Sequence, residues 1–242
     1  MNTYSFPWRS LIWVTIFTIA MGFLESAVVV YMRALLYPHG FNFPMVPIPQ
    51  NLVVTEILRE AATLIMLIGI GVLAGKNKIS RFAWFIYAFA IWDIFYYVFL
   101  KMLINWPESF MTWDILFMIP TVWIGPVIAP VIISLNMIFL GVIIVFFDSG
   151  KRKANPNVRE WVLLIAGSIV LVVAFIWDYS SFLFKYYGVT QLWSVSSTDI
   201  LKLSSHYSPV KFNWFLFILA ELIILTGIGH YWKRNFSVSK GR

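Results

Sequence analysis

The chain contains no cysteine, which excludes disulfides, thiolate metal sites and cysteine nucleophiles together. Charge is also scarce: 12% of the 242 residues are Asp, Glu, Lys or Arg, while 60% are hydrophobic. Soluble domains carry about 25% charged residues, so most of this chain is not built to face water. Histidine is limited to three residues. His39 and His206 fall in connecting segments and His230 near the end of the last apolar run. That set lacks metal-ligand spacing and a matched haem-ligand pair, so no metal site is expected and the cofactor is left open. There is no glycine-rich phosphate loop, internal repeat or separate soluble domain. The net charge of +7 does not argue for nucleic acid, because the basic residues gather in short connections between apolar runs.

What is present is a series of long apolar stretches. A helix needs about 20 residues to cross a bilayer core, and six stretches qualify, near 10–34, 52–74, 82–104, 128–147, 160–180 and 212–232. The expected fold is therefore an all-α, polytopic transmembrane bundle in a single integral membrane domain, residues 1–242. Arg9 followed by an apolar run imitates a secretory signal. Glu25 within the run, and the lack of an A-x-A-like exit, favour a retained first helix. With both ends cytoplasmic, twelve of the eighteen Lys and Arg residues lie on the cytoplasmic side, among them Arg9, Lys76, Lys78, Arg81, Lys151, Arg152, Lys153, Arg159, Lys233 and Arg234. The positive-inside rule favours that orientation. It sets Trp8, Trp84, Trp161 and Trp232 near the inner interface.

On the opposite side, Pro38, Pro44, Pro47 and Pro49 predict a stiff, extended connection over 38–51. Residues 109–119 are short and apolar, and Pro120, Gly125, Pro126 and Pro130 follow. This pattern predicts a half-helix, a break, and then the fourth spanning helix. In the long connection 181–211, Ser197-Thr198-Asp199 can cap a short surface helix.

Ionisable residues inside the apolar runs are the informative anomaly. At a helix centre an Asp, Lys or Arg costs about 2.5–3.5 kcal/mol on insertion scales, so such groups face protein or water. Glu25, Arg33, Glu56, Arg59, Glu60, Asp93, Lys101, Asp178 and Glu221 fall within the predicted spans, and Asp114 lies in the half-helix. Nearly all belong to the middle or outer half of the bilayer, which points to one polar cavity open to the outside. Glu56 and Glu60 share a helix face with Arg59 on its flank, and Asp93, Tyr97 and Lys101 form a second stripe at the same interval. The bland alternatives are a helix-start salt-bridge cluster at Glu56–Arg59–Glu60, a Lys101 that snorkels to head groups, and a solvated Asp178. Seven carboxylates stand against three bases in this set, so the excess needs protons or a cation. The candidate binding residues are Glu25, Glu56, Arg59, Glu60, Asp93, Lys101, Asp114 and Glu221. No catalytic residue is singled out.

Glu56-Ile-Leu-Arg-Glu-Ala-Ala-Thr63 and Trp92-Asp-Ile-Phe-Tyr-Tyr-Val98, with Trp106-Pro107, Trp113-Asp114 and Gly125-Pro126…Pro130, resemble a family of bacterial inner-membrane proteins of about six helices and unknown function. The resemblance spans roughly residues 50–135. It implies a bacterial inner-membrane setting and says nothing of substrate or reaction. Three classes of function follow from the residues. Transport or binding of a small molecule, ion or proton comes first, with a homo-oligomer needed for alternating access by so few helices. A membrane-embedded enzyme acting on a lipid or lipid-linked substrate at the outer leaflet is second, and a non-catalytic subunit or assembly factor is third.

Overall fold

A computed structural model describes residues 6–38, 40–119, 121–149, 155–188 and 195–240. Six of its helices are long and apolar enough to cross a membrane: α1 (Trp8–Leu36), α2 (Gln50–Ala74), α3 (Lys78–Ile104), α4 (Ile128–Ser149), α5 (Val158–Tyr186) and α7 (Trp214–Lys240). A short α6 (Ser197–Ser204) precedes the last of them. The protein is an all-α integral membrane bundle. The helices outrun the purely apolar stretches because polar first turns still propagate a helix. The 29 residues of α1 reach about 43 Å at 1.5 Å per residue, against a hydrocarbon core of about 30 Å.

Local chemistry sets several of the ends. Asn77 caps α3 by accepting from the backbone N–H groups of Ile79 and Ser80, and the Ser80 hydroxyl oxygen in return accepts from the Asn77 N–H. Asn157 and Glu160 form the same reciprocal box at the start of α5. The expected cap of α6 is present one residue earlier, where the Ser196 hydroxyl accepts from the Asp199 N–H. These side chains satisfy donors that a first helical turn leaves free.

α3 is the central element, with α1, α2 and α4 packed along it; α4 also meets α7, which pairs with α5. Close approach relies on small residues. A Cβ on Gly71 of α2 would lie 2.6 Å from the Arg81 carbonyl oxygen of α3, and one on Gly167 of α5 would lie 2.5 Å from Ile224 of α7. With no hydrophobic drive between helices in lipid, backbone proximity of this kind carries the association. Large apolar side chains such as Leu24, Ile65 and Leu73 remain exposed, as a lipid-facing surface requires. Trp84 is 3% exposed and packs on Tyr87, so it is a core residue and not an interface anchor.

The segment between α3 and α4 departs from the expected half-helix. Residues 113–117 form β1 (Trp113–Phe117), which pairs antiparallel with β2 (Trp123–Pro126). Asp114 stands opposite Gly125, Ile115 opposite Ile124, and an irregularity follows Ile115. Trp113, Ile115, Phe117, Val122, Trp123 and Ile124 are aromatic or β-branched, residues that favour a pleated backbone. Pro126 sits at the strand end, where a missing donor is tolerated. The expected break at Pro120 lies outside the described residues, as do His39 and the basic run 151–153. The region 109–130 is not one continuous helix.

Candidate functional site

A cavity of about 700 Å³ lies inside the bundle, bounded by α1, α2, α3, the β1–β2 hairpin, α4, α5 and α7. Its size falls within the range of small-molecule sites. The walls toward the end of the bundle that carries the chain termini are apolar, formed by Phe82, Phe85, Leu164 and Ile228. Toward the hairpin the lining turns charged, with Glu25, Arg33, Glu56, Arg59, Glu60, Asp93, Asp114 and Glu221.

These groups are tied in three clusters. Arg59 of α2 pairs with Glu56 on its own helix and with Glu25 of α1, and the Thr63 hydroxyl donates to Glu25 at 3.3 Å. Glu60, one residue beyond Arg59, does not join the Glu56 pair. It accepts the Met118 backbone N–H at 3.0 and 3.1 Å, so α2 is bonded to the hairpin turn. In the second cluster, Arg33 of α1 pairs with Asp114 of β1 at 3.3 Å. The Tyr97 hydroxyl donates to the other Asp114 oxygen at 3.1 Å. The Arg33 guanidinium lies 3.7 Å from the Trp106 ring centre and 4.6 Å from that of Phe41. Burial pushes the Asp114 carboxyl up to about 6, against the downward pull of Arg33 and Tyr97. The third cluster joins α4 to its neighbours: the Ser134 hydroxyl donates to Asp93 at 2.8 Å and the Asn136 amide donates to Glu221.

The cavity lining thus carries six carboxylates and two guanidiniums. Both guanidiniums are already engaged with Glu25, Glu56 and Asp114. Glu60, Asp93 and Glu221 have hydrogen-bond donors but no ion pair within 4.0 Å among the described residues. One oxygen of Glu221, the indole nitrogens of Trp92 and Trp123, and one Arg33 nitrogen are buried with no hydrogen-bond partner among the described residues. All four residues line the cavity. Unpaired buried groups of this kind are costly unless something fills their bonding capacity.

Seven of the eight residues expected from the sequence therefore share one cavity. Lys101 does not line it: its ammonium binds the carbonyl oxygens of Asn105 at 3.4 Å and Pro107 at 2.9 Å on the exposed end of α3. Eight residues of α-helix turn it about 80° from Asp93, enough to leave the stripe. Asp178 is not simply solvated. It accepts the Tyr207 hydroxyl at 2.7 Å and the Val210 N–H at 3.1 Å, pinning the segment that leads into α7. The bonds to Tyr97, Ser134 and Asn136 were not anticipated, although Ser134 and Asn136 are conspicuous as polar residues in an apolar run. Glu160 was missed as well. It is fully buried and receives both nitrogens of a bidentate Arg234 pair at 2.8 Å. The Asn157-x-x-Glu160 spacing was the signal that could have found it.

Among the described residues, no group of three or more His, Asp or Glu side chains is arranged to hold a metal ion. Comparison with models of known protein families, with curated proteins and with solved structures found no match.

Proposed function

We propose that this protein binds a small cationic or proton-donating molecule in the intramembrane cavity and carries it between the two sides of the membrane. The observation that carries the reading is the charge balance of the lining, six carboxylates against two arginines. Carboxylates at membrane depth without cationic partners are satisfied by protons or by a bound cation. The hairpin gives further support, since non-helical backbone that lines a cavity often frames transport sites. We place the protein in a bacterial inner membrane with both termini cytoplasmic and the charged end of the cavity facing outward. The distribution of basic residues and the family resemblance support this placement. A carrier of six helices is proposed to work as a homo-oligomer.

A second reading, acid–base catalysis on a lipid-linked substrate, draws on one arrangement. Arg59, bridging two carboxylates beside Glu60, offers an anion-binding group and a proton-transfer group within one turn. Binding to protein in nanodiscs separates the readings, with propylammonium, propanol and propionate as probes. The carrier reading expects selective binding of the amine, lost in Glu60→Gln and Asp93→Asn variants that retain the wild-type melting temperature. Preferential binding of propionate would favour the catalytic reading. Loss of melting temperature without selective binding by wild type would leave a structural salt-bridge network.

A further inference from the structure

α1 and α2 both pack along α3, yet they touch each other at few points. The cavity reaches into the wedge between them, where Val28 and Met32 of α1 and Leu52, Thr55 and Glu56 of α2 form its sides. Glu25, bonded to Arg59 and Thr63, crosses the floor of this wedge. The outer rim opens to the surface of the bundle: Leu52, which lines the cavity, is 46% exposed. Glu56 lies six residues along a helix of 25, about 9 Å from its start. On a helix of about 37 Å centred on a core of about 30 Å, that is about 5 Å inside the level where head groups give way to acyl chains, within reach of a head group at the interface.

Beyond the charged groups the cavity continues as an apolar channel. Asp93 and Phe82 both line it and both belong to α3. They are eleven residues apart, so the stretch between them is about 16 Å long at 1.5 Å per residue, the length of a hydrocarbon chain of about twelve carbons. Its walls there are Phe85, Phe89, Leu140 and Ile224. A small hydrophilic cation has no use for this volume.

We infer that the ligand is an amphiphile with a cationic head and a single hydrocarbon chain, admitted sideways from the bilayer through the wedge between α1 and α2. The inference rests on the proposed carboxylate binding site and adds the chain and the route. The head group, entering from the interface, meets Glu56 first and then the carboxylates of Glu60 and Asp93. The chain occupies the aromatic-walled channel. On this route the chain passes from one apolar medium to another, and the head passes from the interface directly to carboxylates.

The test compares dodecylamine, propylamine and dodecanol as ligands of the protein in nanodiscs, by native mass spectrometry and by stopped-flow quenching of tryptophan with a brominated dodecylamine. Dodecylamine should reach half occupancy at a total concentration at least about 100-fold below propylamine, because each methylene favours an apolar site or leaflet over water. It should also outcompete dodecanol. Equal binding of propylamine and dodecylamine would overturn the chain while leaving the carboxylate site standing. Equal binding of dodecanol and dodecylamine would instead overturn the carboxylate site. Route and affinity are separated by filling the wedge. Val28→Trp and Leu52→Trp should slow association of vesicle-delivered dodecylamine about tenfold or more with a smaller change in occupancy at equilibrium. Unchanged association in variants with wild-type melting temperatures would refute lateral entry.

Discussion

Replacing Arg33 by Met removes the cation that faces Asp114 and leaves a carboxylate enclosed by Tyr97 and the hairpin. The pair is 3.3 Å apart, with side-chain exposures of 11% and 3%, so solvent screens it little. At an effective dielectric of about 20 the attraction at that distance is about 5 kcal/mol, part of which offsets desolvation. The loss should depend on pH in a defined direction. The folded-state value of Asp114, about 6, is above its ordinary 3.8, so the folded protein holds this proton more tightly. The group therefore favours the fold at low pH and ceases to do so as pH rises through about 6. Without Arg33 the carboxyl moves further up and the penalty keeps growing above that point. At pH 5, where Asp114 is mostly protonated, Arg33→Met should cost only the lost stacking on Trp106 and Phe41, about 1–2 kcal/mol. At pH 8 it should cost about 3 kcal/mol more, a further drop of about 6–12 °C in melting temperature for a chain of this size. Adding Asp114→Asn should recover most of the pH-dependent part. Thermal unfolding of the purified variants in detergent reads all of this. A loss of equal size at both pH values, or no rescue by the second substitution, would refute the reasoning.

Two further predictions concern the frame around the site. Cysteines introduced at Lys76 and Asn155 should react with a membrane-impermeant maleimide only from the cytoplasmic side, and one at Asn42 only from outside. The chain has no native cysteine to interfere, and Lys76 is used because Asn77 caps α3; labelling of Asn155→Cys from outside would reverse the orientation. Glu160→Gln keeps one acceptor for the cap but leaves the charged Arg234 a single hydrogen bond in place of a bidentate ion pair, and should cost about 2–3 kcal/mol. A melting temperature within about 2 °C of wild type would show that the pair does not hold α5 to α7.

The spans and the polar interior were legible because each depends on one quantity read along the chain, apolar length in one case and the cost of charge at depth in the other. Glu25, Glu60, Asp93 and Glu221 were found through cost alone, with no knowledge of their partners. What remained hidden depends on contacts between distant segments. Arg33 was visible as an in-membrane base, but its partner Asp114 is 81 residues away. No local pattern says that a strand will deliver Asp114 to the end of α1. The hairpin was misread because an apolar segment of about ten residues fits a half-helix or a strand equally well. Its β-branched and aromatic content was the better guide. Lys101 was placed in the site by treating helical spacing as a straight stripe, when residues four apart rotate by about 40° at each step.

The hairpin also bears on the order of assembly. Gly125 lies against Phe175 of α5, with a Cβ there only 2.7 Å from the ring, and Asp114 is held by Arg33 of α1 and Tyr97 of α3. Its seat is thus made by helices that precede it and by one synthesised after it. A segment of two short strands carries no hydropathic signal for insertion on its own. The part of the charged end that Asp114 supplies is therefore complete only when α1, α3 and α5 have come together around the hairpin.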